Sequence, residues 1–196
     1  LLVASLLGAC NISLPTFSLM NGVLSFPSSS ERLVNKQGTL IIAKSQAERF
    51  RVPLNLVLGV ITQESGFNVI AVSRVGAMGL MQLMPDTVTH INSISPIHVS
   101  SAFNPAQNVA AGTWYLKTLY DQFRGWPESE RWKFALASYN GGYQRVTRAI
   151  EKVQGQTDKL NYEVEWEDIA SYMPSETRHY VPAVLSHSQS YSYLVK

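Results

Sequence analysis

Pro53-Leu54-Asn55-Leu56-Val57-Leu58-Gly59-Val60-Ile61-Thr62-Gln63-Glu64-Ser65-Gly66 is the stretch on which the reading of this chain turns. Proline has a fixed φ and no N–H, so Pro53 suits the opening of a helix, and Gly66 suits its end. At 3.6 residues per turn, Val57, Val60, Ile61 and Glu64 share one face through i+3, i+4 and i+7 spacing. Glu64 therefore closes an apolar stripe at the point where the helix stops. A carboxylate in that place loses water, and desolvation raises its pKa. A carboxyl group still protonated near neutrality is what a general acid requires. On helical spacing alone, the plainer alternative is a partly exposed glutamate that ends its helix and pairs with an arginine.

Outward from this stretch the chain reads as helices broken by short turns, with no convincing alternating strand and no internal repeat. A helix is expected from Thr39 to about Phe50, and a short one from near Pro85. Asn104-Pro105 is a cap followed by a first-position proline, opening a long helix to about Phe123. Others are expected from about Ser129 to Tyr139, from Tyr143 to about Val153, and from Glu165 to Tyr172. Pro174-Ser175-Glu176 opens the last, with Pro182 as a kink. Residues 11–37, rich in Ser, Pro and Asn, read as a linker or N-terminal arm. The fold class is all-α or α-rich, with one domain over residues 38–196.

Of the 196 residues, 45% are hydrophobic and 15% charged, a globular balance that argues against disorder. The net charge is only +2, with no basic run or Arg-rich arm, so nucleic-acid binding has no support. The lone cysteine, Cys10, excludes an internal disulfide and a cysteine zinc site. His90, His98, His179 and His187 lack metal-ligand spacing, so no metal or other cofactor is expected. Residues 1–10 are apolar up to Cys10, too short to span a bilayer, and read as the remnant of a secretory signal. Leu7-Gly8-Ala9-Cys10 resembles the lipobox of bacterial lipoproteins, which implies lipidation of Cys10. The other reading is a short apolar segment with a buried thiol. By the same resemblance, Asn11 suits an outer-membrane destination.

Beyond Glu64, Ser65-Gly66-Phe67-Asn68 makes a tight exit, followed by Ser73-Arg74-Val75-Gly76-Ala77-Met78-Gly79-Leu80-Met81-Gln82-Leu83-Met84-Pro85. Two close glycines permit positive φ or near approach of backbone to a ligand. Apolar neighbours with one amide suit a ligand pocket, although a Met-rich run also suits core packing. With Asp86-Thr87, this segment resembles the catalytic motif of the soluble lytic transglycosylase family, whose domain is goose-lysozyme-like. Asn104-Pro105, Asn108-Val109 and Ala111-Gly112-Thr113-Trp114-Tyr115-Leu116 resemble that family's central helix. Ala135-Leu136-Ala137-Ser138-Tyr139-Asn140-Gly141-Gly142 and Pro174-Ser175-Glu176-Thr177-Arg178-His179-Tyr180-Val181 resemble its later motifs, in the right order. The resemblance spans roughly residues 38–192.

That resemblance implies a lysozyme-like helical domain with a catalytic cleft, acting as a lytic transglycosylase on peptidoglycan glycan strands in the cell envelope. It makes Glu64 the single acid and base. Ser65 and Ser73 would support the carboxylate or the substrate acetamido group, and Met81 and Gln82 would line the cleft. Tyr139 and Asn140 would face Glu64 and position the N-acetyl group, and Tyr180 would approach the carboxylate. Glu176 and Arg178 are expected to pair structurally. The product would be a 1,6-anhydro-MurNAc end. A lipid on Cys10 would place the protein in the periplasm, anchored to the outer membrane. Two alternatives stay open: a lysozyme-like hydrolase using Asp86 or another acid, and a non-catalytic glycan-binding scaffold. Leu83, where goose-type lysozymes tend to carry an acid, favours transglycosylation.

Overall fold

The computed structural model describes residues 18–20, 23–25 and 29–195, with side chains from Lys36 onward except Asn161. Cys10 lies outside the described residues, so its expected lipidation has no structural counterpart here. A short antiparallel hairpin pairs β1 (Ser18–Met20) with β2 (Val23–Ser25), in the register Ser18 to Ser25. Strands of three residues are too short for an alternating pattern to reveal them, and none was expected there.

Among the described residues, eight α-helices follow: α1 Ser29–Phe50, α2 Leu54–Ser65, α3 Pro85–Ile94, α4 Pro105–Gln122, α5 Glu128–Gly141, α6 Tyr143–Gln156, α7 Trp166–Ile169 and α8 Ser175–Ser190. Helix α1 starts ahead of the expected Thr39 and absorbs Gly38. A glycine costs a helix only about 1 kcal/mol relative to alanine, which a long helix tolerates. The other starts match the caps in the sequence. In α4, Asn104 Oδ1 accepts the Gln107 N–H at 3.1 Å and Pro105 occupies the first turn. Helix α8 continues through Pro182.

Helix α2 is the centre of the core. Leu56, Val57, Leu58, Val60 and Ile61 are all buried, packed with Leu116 and Val109 of α4, Phe134 and Leu136 of α5, and Val181 and Val184 of α8. A smaller cluster of Leu83, Ile91, Ile97, Val99, Ala110 and Ala111 sits where α3 meets α4. Among the described residues, no helix is long and apolar enough to cross a membrane.

Helices α2 and α8 meet backbone against backbone. A Cβ on Gly59 would stand 2.7 Å from the Val184 carbonyl oxygen and 3.0 Å from the Ser188 nitrogen. Only a residue without a side chain lets the two backbones meet here. Because Gly59 faces Val184 while Glu64 faces Tyr180, the helices run antiparallel, and their packing sets how near Tyr180 comes to Glu64.

Alanine is the better helix former by about 1 kcal/mol, so propensity alone favours Gly59→Ala. The clash is with backbone rather than a mobile side-chain end, and overpacking of that kind costs about 1–3 kcal/mol. Gly59→Ala is therefore expected to destabilise the fold in urea or thermal denaturation. Unchanged or higher stability would show that α2 and α8 have slack between them.

Candidate active site

Glu64 sits in the last turn of α2, which Gly66 closes in the left-handed conformation at φ 56°, its N–H bonded to the Thr62 carbonyl. Val57, Val60 and Ile61, on the same face, have no exposed surface. Part of Glu64 still reaches solvent, but the protein around it is dense. Burial pushes its pKa from 4.5 up to about 7, against the lowering effect of the Tyr180 hydrogen bond, with repulsion from Glu176 adding to the rise. No arginine or lysine pairs with it among the described residues. The expectation of a desolvated acid holds, and the alternative of an arginine-paired terminal glutamate does not.

Tyr180 lies one face of α8 away and donates its hydroxyl to Glu64 Oε1 at 2.6 Å. Burial and the neighbouring Glu64 hold the Tyr180 phenol well above the usual range, so it stays a donor. Its bond engages Oε1, which leaves Oε2 as the oxygen available to carry a proton. Tyr139 also stands close enough to Glu64 for the carboxylate to raise its pKa, after burial as the main cause. Its hydroxyl does not point its hydrogen at Glu64, however. It donates to the Met81 carbonyl at 2.8 Å, and its ring tilts against Tyr115 at 5.7 Å between centroids.

The loop between α2 and α3 forms one wall. Bridges pair Val72 with Met78 and Met78 with Leu83. Ser65 Oγ donates to the Leu80 carbonyl at 2.8 Å and fastens the loop to the end of α2. Ser73 Oγ accepts the Ala77 N–H at 2.9 Å and shapes the loop's first turn. Gln82 holds a positive φ of 47° and donates its amide to the carbonyls of Gly79, at 2.9 Å, and Ala71, at 3.2 Å. Each of the three therefore has a loop-building role on which any contact with substrate would be superimposed.

Met81 was expected to line the cleft. Its side chain is fully buried, with its sulfur 3.8 Å from Thr113 Oγ1, so it belongs to the core. The exposed methionine of the run is Met84, at the start of α3. Alternation along the Leu80–Met84 segment was not readable without the loop's turns. Asn108, in sequence only one residue of the Asn108-Val109 motif, anchors this wall. It is fully buried, accepts the Met81 N–H at 2.8 Å, and donates to Ala102 at 2.8 Å and Met78 at 3.0 Å. Gly79 passes so close to Asn108 and the Ala102 carbonyl that no Cβ would fit, and its φ of 77° excludes one as well.

Asn140 is not free to face Glu64. Its amide nitrogen donates to Glu176 Oε1 at 3.1 Å and its oxygen accepts the Thr177 hydroxyl at 2.7 Å. The expected structural pairing of Glu176 and Arg178 is not formed. Glu176 is held by Asn140, and Arg178 makes no ion pair among the described residues. Asp86 is exposed in the first turn of α3, the place of a helix-dipole acid. No group of three or more metal-ligating side chains occurs among the described residues. A cavity of about 430 Å³, lined by Lys44, Arg51, Tyr120, Trp132 and Leu194 among others, lies at the opposite end of α2 from Glu64. Chemistry, not volume, marks the site.

The family described as "Transglycosylase SLT domain" matches residues 41–162. The chain is 33% identical over 148 residues to the soluble lytic murein transglycosylase of Escherichia coli (strain K12), covering 74% of this chain and 21% of that protein. It is 30% identical over 165 residues to the membrane-bound lytic murein transglycosylase C of Glaesserella parasuis, covering 80% of this chain and 43% of that one. The crystal structure of the 70 kDa soluble lytic transglycosylase from Escherichia coli superposes with a TM-score of 0.64 at 31% identity, over 78% of this chain and 24% of that chain. An inactive Glu-to-Gln mutant of lytic transglycosylase Slt from Pseudomonas aeruginosa superposes with a TM-score of 0.64 at 27% identity, over 84% and 25% of the two chains. The chain thus spans about a fifth to less than half of these relatives. The match to the family over more than half of its length, on a helical framework shared with solved members, places this chain in the transglycosylase SLT domain family.

Proposed function

We propose that this protein is a lytic transglycosylase that cleaves the β-1,4 bond between N-acetylmuramic acid and N-acetylglucosamine in peptidoglycan and leaves a 1,6-anhydro end. The observation that carries this reading is Glu64, a carboxyl group with a pKa pushed up to about 7, held by a phenol donor and in no ion pair among the described residues. Near neutrality it exists both protonated and ionised, as a residue serving first as acid and then as base must.

The proton on Oε2 passes to the glycosidic oxygen, the bond from that oxygen to the muramyl C1 breaks, and N-acetylglucosamine leaves as an alcohol. The muramyl acetamido group stabilises the positive charge left on C1, as in substrate-assisted glycosidases. Glu64, now ionised, takes the proton of the 6-hydroxyl of the same residue. The 6-oxygen closes onto C1, giving the anhydro ring and restoring protonated Glu64. The nucleophile is intramolecular, so its effective molarity is high and no water need be activated. Tyr180 fixes Glu64 throughout, and the loop held by Ser65, Ser73 and Gln82 forms the facing wall. The names of the relatives, soluble and membrane-bound lytic murein transglycosylases, agree with this chemistry. We assign the catalytic unit to residues 38–196. We also infer a place in the cell envelope, with Cys10 as the lipid attachment, an inference that rests on the lipobox-like sequence and on the membrane-bound relatives.

The hydrolase reading draws on one specific observation: Glu176 stands near enough to Glu64 to repel its charge, as a second carboxylate would. One of its oxygens, Oε1, is already engaged by the Asn140 amide at 3.1 Å. Product analysis separates the two. Mass spectrometry of muropeptides released from purified sacculi is expected to show anhydro ends with the wild type and none with Glu64→Gln. Reducing ends from the wild type would establish hydrolysis instead.

The same variant reports on the buried acid. Because the folded state holds the Glu64 proton more tightly than the unfolded chain, its contribution to stability is full below pH 4.5 and is lost as the pH rises through 7. Glu64→Gln keeps an acceptor for Tyr180 and removes this loss. It is expected to raise stability above pH 7, by at most about 3 kcal/mol, and to leave it nearly unchanged at pH 4. Denaturation curves at the two pH values check this, and an equal effect at both would mean that Glu64 ionises normally.

A further inference from the structure

Resting on the reading of Glu64 as general acid, we propose that Glu176 is a positioning residue for that acid: an exposed carboxylate, held by the Asn140 amide, that keeps a negative charge beside the Tyr180–Glu64 pair. Glu176 precedes Tyr180 by four residues in α8, so the two share a face one turn apart. Tyr180 reaches Glu64 Oε1 at 2.6 Å, which places the Glu176 turn of α8 beside the acid.

The orientation of the Asn140 amide is determined from both sides. The buried Thr177 hydroxyl donates to its oxygen at 2.7 Å, so the NH₂ end must face Glu176, where it donates at 3.1 Å. Close approach of α5 to α8 makes this possible, since a Cβ on Gly141 would stand 2.7 Å from Thr177 Oγ1. Held this way, Glu176 is turned toward α5 and makes no ion pair among the described residues. The neighbouring cation of α6, Arg145, is turned to the Gly141 carbonyl at 2.8 Å and forms no ion pair with Glu176.

The other groups around Glu64 do not supply a compensating charge. Helix α8 contributes the Tyr180 phenol, α5 the Tyr139 phenol, and α4 the Tyr115 phenol behind Tyr139. From α1, Lys36 lies over the Phe67 ring at 5.2 Å, and Arg74 in the loop after α2 is exposed. A negative charge near a carboxyl group disfavours its ionisation, and burial and Glu176 act on Glu64 in the same direction. Glu176 itself is exposed, so salt screens its effect, which must be modest. It extends to higher pH the range in which Glu64 holds its proton.

The test compares pH profiles of kcat/KM on purified uncrosslinked glycan strands for wild type, Glu176→Gln and Glu64→Gln. Gln at position 176 keeps an acceptor for Asn140 and removes only the charge. The basic limb of Glu176→Gln is expected at lower pH, giving about two- to threefold lower rates above the limb and an unchanged acid plateau. Raising the salt concentration is expected to move the wild-type limb toward that of the variant while leaving the variant's limb in place. A limb that does not move overturns the proposal. So does a uniform loss at every pH, which would make Glu176 a substrate contact, or a reacting group if the loss exceeds about a hundredfold. Activity retained by Glu64→Gln would instead sink the general-acid reading on which the proposal rests.

Discussion

The contact of α2 with α8 at Gly59 is the constraint on which the rest depends, because two backbones that close cannot slide without breaking many contacts at once. It puts Val60 and Ile61 fully out of water and leaves Glu64 at the rim of the same face. It also brings Tyr180 within 2.6 Å of that carboxyl group. Desolvation makes the acid weak, and the phenol's hydrogen bond opposes part of that effect while fixing which oxygen carries the proton. The balance falls near neutrality because burial is the larger of the two.

The second wall of the site is built from backbone. The segment from Ala71 to Leu83 bonds in part to itself, as in the Met78–Leu83 bridge, and its remaining buried backbone groups must find partners. Ser65, Ser73, Gln82, Tyr139 and Asn108 supply them, binding the carbonyls of Leu80, Gly79 and Met81 and the N–H groups of Ala77 and Met81. Residues that resemble substrate ligands in sequence therefore spend much of their hydrogen-bonding capacity on holding the loop in shape. For the proposed function a rigid loop is itself useful, since misplacement of a bound sugar by an ångström is costly to catalysis.

Asn140, Thr177 and Glu176 close the third side by joining the end of α5 to the start of α8. This junction and the Gly59 contact act on the same helix, one at its start and one further along. Together they fix α8 along its length, with Tyr180 between them.

Much of this was legible in the chain itself. The period of Val57, Val60, Ile61 and Glu64 defined both the buried face of α2 and the acid at its end. Asn104-Pro105, Gly66 and Pro174 marked helix ends because capping is a local matter, decided by residues a few positions apart. The ordered motifs identified the family. What the sequence could not reveal was decided by contacts between residues distant along the chain. Met81 and Met84 are the same residue type three positions apart, yet one lies in the core and the other at the surface, because the turns of the loop set where each side chain points. The partnership of Glu176 with Asn140 rather than Arg178, and the role of Asn108, depend on where α8 and α4 dock. Local periodicity determines which face of a helix is apolar, but only packing determines which polar groups then meet across it.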